Sequence, residues 1–134
     1  MATRSNIAIE NKDGTVSAIY CHYDGYIDGV GEILYENYNT REKMEQLIAL
    51  GDISSLGKIL EETVAYHRDR GERLEEPIQH KTVLLYFESE VGGGGVEYSY
   101  CFTLEGQFLV QHFNSNQVAY LKKSLEDEDV LWGT

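Results

Sequence analysis

The sequence predicts an α+β fold: a mainly antiparallel sheet with two or three short helices, in a single domain spanning residues 1–134. Three observations predict it. Alternating apolar runs meet at two turn signals, Asp13-Gly14 and Glu105-Gly106. Between them, residues 28–51 carry apolar side chains at helical spacing with capping residues at the ends. The 134 residues show no repeat or linker, and their 42% apolar content is enough for one core without staples.

The elements follow in order. "SNIAIENKDGTVSAIYCHY" (5–23) reads as a hairpin turning at Asp13-Gly14. Alternation places Val16, Ala18, Tyr20 and His22 on one face and Ile19, Cys21 and Tyr23 on the other. Both faces are largely apolar, so this strand is expected to be central. Asp28 is expected to cap a short helix through about Tyr38. Thr40 is expected to cap a second, with Met44, Leu47 and Ile48 at i, i+3, i+4 before Gly51 ends it. "ISSLGKILEE" (53–62) is a third helix candidate, weakened by Gly57. "TVAYHRDRG" (63–71) reads as extended to about Arg68, so that Val64, Tyr66, Arg68 and Arg70 share a face opposite Ala65, His67 and Asp69. "KTVLLYFESE" (81–90) reads as a strand, the glycines 92–95 as a connector, and "VEYSYCFTLEGQFLVQHF" (96–113) as a second hairpin presenting Tyr98, Tyr100 and Phe102 on one face. A short helix through Val118, Leu121 and Leu125 closes the chain. Glu126 to Asp129 would oppose its negative C-terminal end, which points to a loose acidic tail.

Composition narrows the function. No apolar run reaches the roughly 18–20 residues of a membrane span, and "MATRSNIAIE" lacks the apolar core of a signal peptide, so a cytoplasmic address is expected. Cys21 and Cys101 lie in strand-like stretches and are expected as buried reduced thiols rather than a bridge. A net charge of -12 disfavours a broad nucleic-acid footprint. It leaves two general readings, a well-solvated small protein or a mimic of nucleic-acid phosphates.

Several motifs carry little. "HRD" at 67–69 matches a kinase catalytic loop, but nothing upstream supplies a second lobe or a phosphate loop. The glycines at 92–95 lack the Lys-Ser/Thr of a P-loop and enter a strand. "GYIDGVGE" could offer backbone N–H groups to an anion, although helix entry explains it equally well. Cys21, His22, His67, His80, Cys101 and His112 have no metal-ligand spacing, so no metal is expected, and no flanking motif supports a Cys/His nucleophile.

The arginines are different. Of five in the chain, Arg68, Arg70 and Arg73 fall within "AYHRDRGERL" (65–74). One reading is a surface loop exchanging ion pairs with Asp69, Glu72, Glu75 and Glu76, each worth about 0–1 kcal/mol. The other is a phosphate grip, since the guanidinium fork makes bidentate charge-assisted bonds worth about 1.5–3 kcal/mol each.

The strings "SNIAI", "DGTVSAIYCHYDGY", "GVGEIL", "YNTREK", "LIALGDISSLG" and "AYHRDRGE" together resemble the anti-Thoeris family of small phage and prophage proteins. The likeness covers roughly residues 4–74. Beyond residue 80 it extends only to strand-rich character and the "FTLEGQFLV" hairpin. It implies a viral sponge, cytoplasmic in the host bacterium, that sequesters glycocyclic ADP-ribose signals made by TIR-domain enzymes. Such a sponge is not an enzyme, needs no cofactor, and assembles as a homodimer or larger oligomer. Under that resemblance Arg68 and Arg70 grip phosphate, and Asp69 orients the guanidiniums or a ribose hydroxyl. Tyr23, Tyr66, Phe87 and Phe102 are candidates to stack on the base, and Asn114 and Asn116 to engage ribose or adenine edges. Two alternatives remain: an acidic nucleic-acid mimic that blocks a restriction or CRISPR protein, and an enzyme that cleaves the nucleotide.

Overall fold

The computed structural model describes residues 2–90, 95–115 and 117–126. Strands β1 (Arg4–Glu10) and β2 (Val16–Cys21) form the first hairpin, with Ile7 opposite Ile19 and Ala8 opposite Ala18. Asp13 fixes its turn by accepting the Thr15 N–H at 3.0 Å and the Thr15 hydroxyl at 2.6 Å. A π-helical turn, Ile27–Gly31, then runs into α1 (Glu32–Asn37). The expected Asp28 cap does not form, because the chain enters through a turn in which the Asp24 carbonyl takes the Val30 N–H at 2.8 Å. Thr40 does cap α2 (Arg41–Ile48), accepting the Lys43 N–H at 3.2 Å, and Met44, Leu47 and Ile48 are the buried stripe.

Residues 53–62 depart from the expected helix. They form β3 (Ile53–Ser55) and one 3-10 turn, Leu60–Glu62. Gly57 lets the chain fold back, since a Cβ there would lie 2.6 Å from the Glu62 carbonyl carbon.

Two segments expected as strands are helical. After the two-residue strand β4 (Val64–Ala65), residues Tyr66–Arg70 form α3. Its ends explain the switch. The Asp69 carboxylate accepts the Ala65 N–H at 2.8 Å at the start. At the end Gly71 sits at φ +68°, where its N–H donates to the His67 carbonyl in an αL cap and the Glu72 N–H donates to the Tyr66 carbonyl. The second is α4 (Val83–Glu90), which follows β5 (Ile78–His80). Its run of apolar residues fits either period. Thr82 decides locally by accepting the Leu85 N–H at 3.1 Å, and Tyr86 and Phe87, with Val83, turn toward the sheet while Leu84 and Leu85 stay exposed.

The second hairpin, β6 (Val96–Phe102) and β7 (Phe108–His112), turns at Gly106 as its sequence predicts. Strand β8 (Ala119–Tyr120) and α5 (residues 121–126) end the described chain. The eight strands among the described residues form one sheet, ordered β4-β3-β2-β1-β6-β7-β8, with β5 also on β2. Only β1–β6 and β2–β3 are parallel, so the sheet is mainly antiparallel and the fold is α+β. Strand β2 is central, pairing with β1 along one side and with β5 and β3 along the other.

The strand alternation sorts the core. Ile7, Ile9, Ile19, Cys21, Tyr100 and Phe102 face the larger cluster, closed by Leu34, Met44, Leu47 and Leu121. Ala8, Val16, Ala18 and Cys101 face the smaller one, where these short side chains leave room for Tyr86 and Phe87. Each large aliphatic side chain buried here is worth about 1.5–3 kcal/mol. The notional tail, residues 127–129, and the glycines 92–94 lie outside the described residues.

Candidate functional site

The arginine cluster divides by role. Arg68 is spent on the fold: Nη2 donates to the carbonyls of Leu60 at 2.9 Å and Thr63 at 2.6 Å, while Nε and Nη2 fork onto Asp69 at 2.9 and 2.8 Å. Asp69 in turn is pushed below the ordinary carboxylate range, first by Arg68 and then by the Ala65 N–H. Asp69 therefore orients a guanidinium, that of Arg68. The clamp secures residues 57–63, which Thr63 and Tyr38 also tie down: Thr63 Oγ1 accepts the Gly57 N–H at 3.0 Å and the Tyr38 hydroxyl donates to the Gly57 carbonyl at 2.8 Å.

Arg70 has greater freedom. Because α3 is a helix, residues 66 and 70 are neighbours one turn apart, and the Arg70 guanidinium lies 5.2 Å from the centre of the Tyr66 ring. Among the described residues its one hydrogen bond is a long contact to Ser54 Oγ at 3.4 Å. Arg73 follows the Gly71 stop and lines a cavity of about 360 Å³ with Tyr66, Tyr20, His67 and Asp52. Carboxylates of Glu72 and Glu75 also line it.

Neighbouring groups give this cavity its character. Tyr20 bonds through its hydroxyl to His22 Nδ1 at 2.7 Å, and the His22 ring meets Tyr23 edge-on at 4.6 Å between centres. Burial raises the Tyr20 phenol, with Arg4 acting against it. His67 donates from Nδ1 to the Glu72 carbonyl at 2.8 Å, leaving Nε2 as its other polar atom. Asp52 accepts the Tyr20 N–H at 3.0 Å; burial raises its carboxyl despite that bond, and Glu75 raises it further. Tyr23, half-exposed, donates its backbone N–H to Ser54, the residue whose side chain Arg70 touches.

Ser54 thus takes the Tyr23 backbone N–H on its carbonyl and the Arg70 guanidinium on its hydroxyl, and Arg70 lies against the Tyr66 ring; of the sequence candidates Tyr66 lines the cavity, and the others lie outside its lining. Phe87 lies in the smaller core under α4, and Phe102 in the larger core, edge-on to Phe108 at 4.9 Å. Both are 3% exposed and on opposite faces of the sheet, so neither ring is open to stack on a ligand. Asn114 is exposed in the turn after β7, its N–H donating to His112 Nδ1 at 3.2 Å. Strand β7 is three places from β2, about 14 Å at the usual strand spacing. Asn116 lies outside the described residues. Within "GYIDGVGE", Gly25 donates its N–H to Thr3, Gly29 and Gly31 to Tyr26, and Val30 to Asp24.

Sequence reasoning passed over Tyr20, Asp52 and the siting of Arg73. One signal was present. Along a single face of β2 the residues change from Val16 and Ala18 to Tyr20 and His22, and this step from small apolar to large polar-tipped side chains marks where the strand leaves the core.

Cys21 and Cys101 are both free, sit in the two separate core clusters, and are pushed by burial to about 12. Among the described residues, no group of three His, Cys, Asp or Glu side chains is placed to hold a metal ion, and no helix is long and apolar enough to cross a membrane.

The fold is a small α+β domain with a cavity where α3 meets β2, whose lining includes two tyrosines, one arginine and three carboxylates. Comparison with models of known protein families, with curated proteins and with solved structures returned no match.

Proposed function

We propose that this protein sequesters a compact, doubly charged nucleotide of the glycocyclic ADP-ribose class without cleaving it, and so blocks TIR-based Thoeris immunity in an infected bacterium. The observation that carries the reading is a cavity lined by Tyr66 and Arg73, with the Arg70 guanidinium held against the Tyr66 ring outside that lining. A guanidinium held against an aromatic plane offers a phosphate fork and a stacking face to one ligand. At about 360 Å³ the cavity falls within the range of small-ligand sites.

With Arg68 committed to the loop clamp, the phosphate grip passes to Arg70 and Arg73, and Tyr66 and Tyr23 become the stacking rings. Two guanidinium contacts at about 3 kcal/mol and two stacking contacts at about 2 kcal/mol total roughly 10 kcal/mol. Nanomolar sequestration needs about 12 kcal/mol before ordering costs. Asp52, Glu72 and Glu75 also oppose an anion unless they meet ribose hydroxyls. A second protomer closing over the cavity supplies the missing contacts, which is why a homodimer or larger assembly belongs to this reading.

The test combines chemistry and mutation. Incubated with glycocyclic ADP-ribose and then heat-denatured, the protein should return the same molecule by mass spectrometry. Arg70→Ala with Arg73→Ala should abolish calorimetric binding and leave the circular dichroism spectrum unchanged. A hydrolysed product would make the protein an enzyme. Undiminished binding by the double variant would remove the arginine site, and failure of the wild type to bind at all would favour the nucleic-acid mimic that the charge of -12 permits.

A further inference from the structure

We propose that residues 127–134 dock back into the groove between α1, the β6–β7 turn and α5, where the acidic run 127–129 meets two lysines and Trp132 meets the tyrosine rings. The groove encloses about 680 Å³, and the described chain reaches Glu126 within its lining, so the segment that follows starts at the groove's own wall.

The fold builds this groove from the core outward. Leu121, fully buried, anchors α5 in the larger cluster; a Cβ on Gly31 would come within 3.1 Å of its Cδ1, so the fit is close. That anchor sets Lys122 and Lys123 in the lining. They are the only adjacent pair of Lys or Arg in a chain of net charge -12. Tyr35 and Tyr120 bring rings to the same lining. Tyr120, 57% exposed, belongs to β8, a two-residue strand at the edge of the sheet. An uncovered edge invites pairing with other chains, and a segment lying over it removes that hazard.

Charge selects the occupant. The groove sets two lysines against one carboxylate, Glu126, whereas the arginine cavity sets three carboxylates against Arg73 and the hollow beside Lys58 sets three against that lysine. Residues 127–129 bring three carboxylates in succession. Continued as helix they would stack negative charge on the negative end of α5; turned into the groove they reach two ammonium groups. Among the described residues no hydrogen bond or ion pair engages the side chains of Tyr35, Gln107, Tyr120, Lys122 or Lys123.

Val130, Leu131 and Trp132 come next. Exposed ion pairs contribute little, so the lysines choose the site and burial of the indole against the phenol rings supplies most of the hold. Trp132 follows Glu126 by six residues, a reach of about 20 Å for an extended chain, and so short a tether keeps it at an effective concentration in the millimolar range. Weak contacts therefore suffice.

Trp132 is the only tryptophan, so its fluorescence in the full chain reads the segment directly. Its emission should lie blue of N-acetyltryptophanamide, acrylamide should quench it several-fold more slowly, and both properties should hold on dilution. Lys122→Glu with Lys123→Glu should shift the emission red and raise quenching toward that of the free indole, while Lys81→Glu, outside the groove, changes neither. Adding Asp127→Lys and Asp129→Lys to the reversed pair should restore the protection. Trp132→Ala should shift the amides of Tyr35, Gln107 and Tyr120 in two-dimensional NMR spectra. The proposal is overturned if the indole emits and quenches like the free compound, or if protection falls on dilution, which makes a second copy the occupant. It is equally overturned if the reversed lysines leave protection intact, if the charge swap fails to restore it, or if Trp132→Ala moves none of the three amides.

Discussion

Arg68 and Arg70 are two residues apart and do different work. Which of them is spent internally depends on where Leu60 and Thr63 aim their carbonyls, and that is settled only when residues 57–63 fold back over Gly57. The sequence therefore marks a dense cationic spot without dividing its labour. Arg68→Ala should lower the unfolding free energy by about 1–2 kcal/mol, the value of bonds from a charged donor discounted for partial exposure. In a urea titration the midpoint should fall. Arg68→Lys should recover less than half of the loss, because an ammonium cannot hold the Asp69 fork and reach both carbonyls. An unchanged midpoint in the alanine variant would show the clamp to be energetically idle and return Arg68 to the list of phosphate ligands.

At the scale of elements, α3 depends on a carboxylate that two donors hold in its charged form. Asp69 is depressed below its ordinary 3.8, chiefly by Arg68 and then by the Ala65 N–H. A depressed folded value means that the stabilisation is present above 3.8 and is lost as pH falls through the folded value. Asp52 has the opposite sign. Burial raises it above 3.8, so its contribution is full below 3.8 and disappears as pH climbs through the raised value. Asp52→Asn should therefore stabilise the protein at neutral pH, since the amide oxygen can still accept the Tyr20 N–H. Asp69→Asn should destabilise it at neutral pH and flatten the acid limb of a melting-temperature profile. If both variants shift the same way, the assigned causes are wrong. Elements whose signals are local were readable from sequence: the Asp13-Gly14 and Gly106 turns, the Thr40 cap and the stripe of α2. Elements decided by packing were not. The run Val83–Phe87 suits a strand until Ala8, Ala18 and Cys101 make space on the sheet for a helix, and Tyr66–Arg70 turns helical because Asp69 reaches Ala65 and Gly71 closes the end. The same division applies to the site. An extended reading puts Tyr66 and Arg70 on one strand face, and they meet instead as helix neighbours at i, i+4, while the flat rings of Phe87 and Phe102 are held by the two cores.

Across the whole molecule the governing quantity is the charge of -12, carried by 23 acidic and 11 basic residues. Self-repulsion at this charge destabilises the compact state. Exposed pairs such as Arg41–Glu45, at 3.9 Å, return little of it. Raising monovalent salt shortens the screening length from about 30 Å at 0.01 M to about 3 Å at 1 M. Two consequences of opposite sign follow. The melting temperature of the free protein should rise with salt, because repulsion spread over the surface is screened while the buried clusters are untouched. Affinity for a doubly charged nucleotide should respond to the balance at the site itself. If Arg70 and Arg73 hold the phosphates at short range, affinity falls with salt even as the protein grows more stable. If instead the surface field dominates, salt lifts both together. Scanning calorimetry and titration calorimetry over the same salt series separate these cases, and affinity that climbs alongside the melting temperature would remove the arginine grip from the binding mechanism.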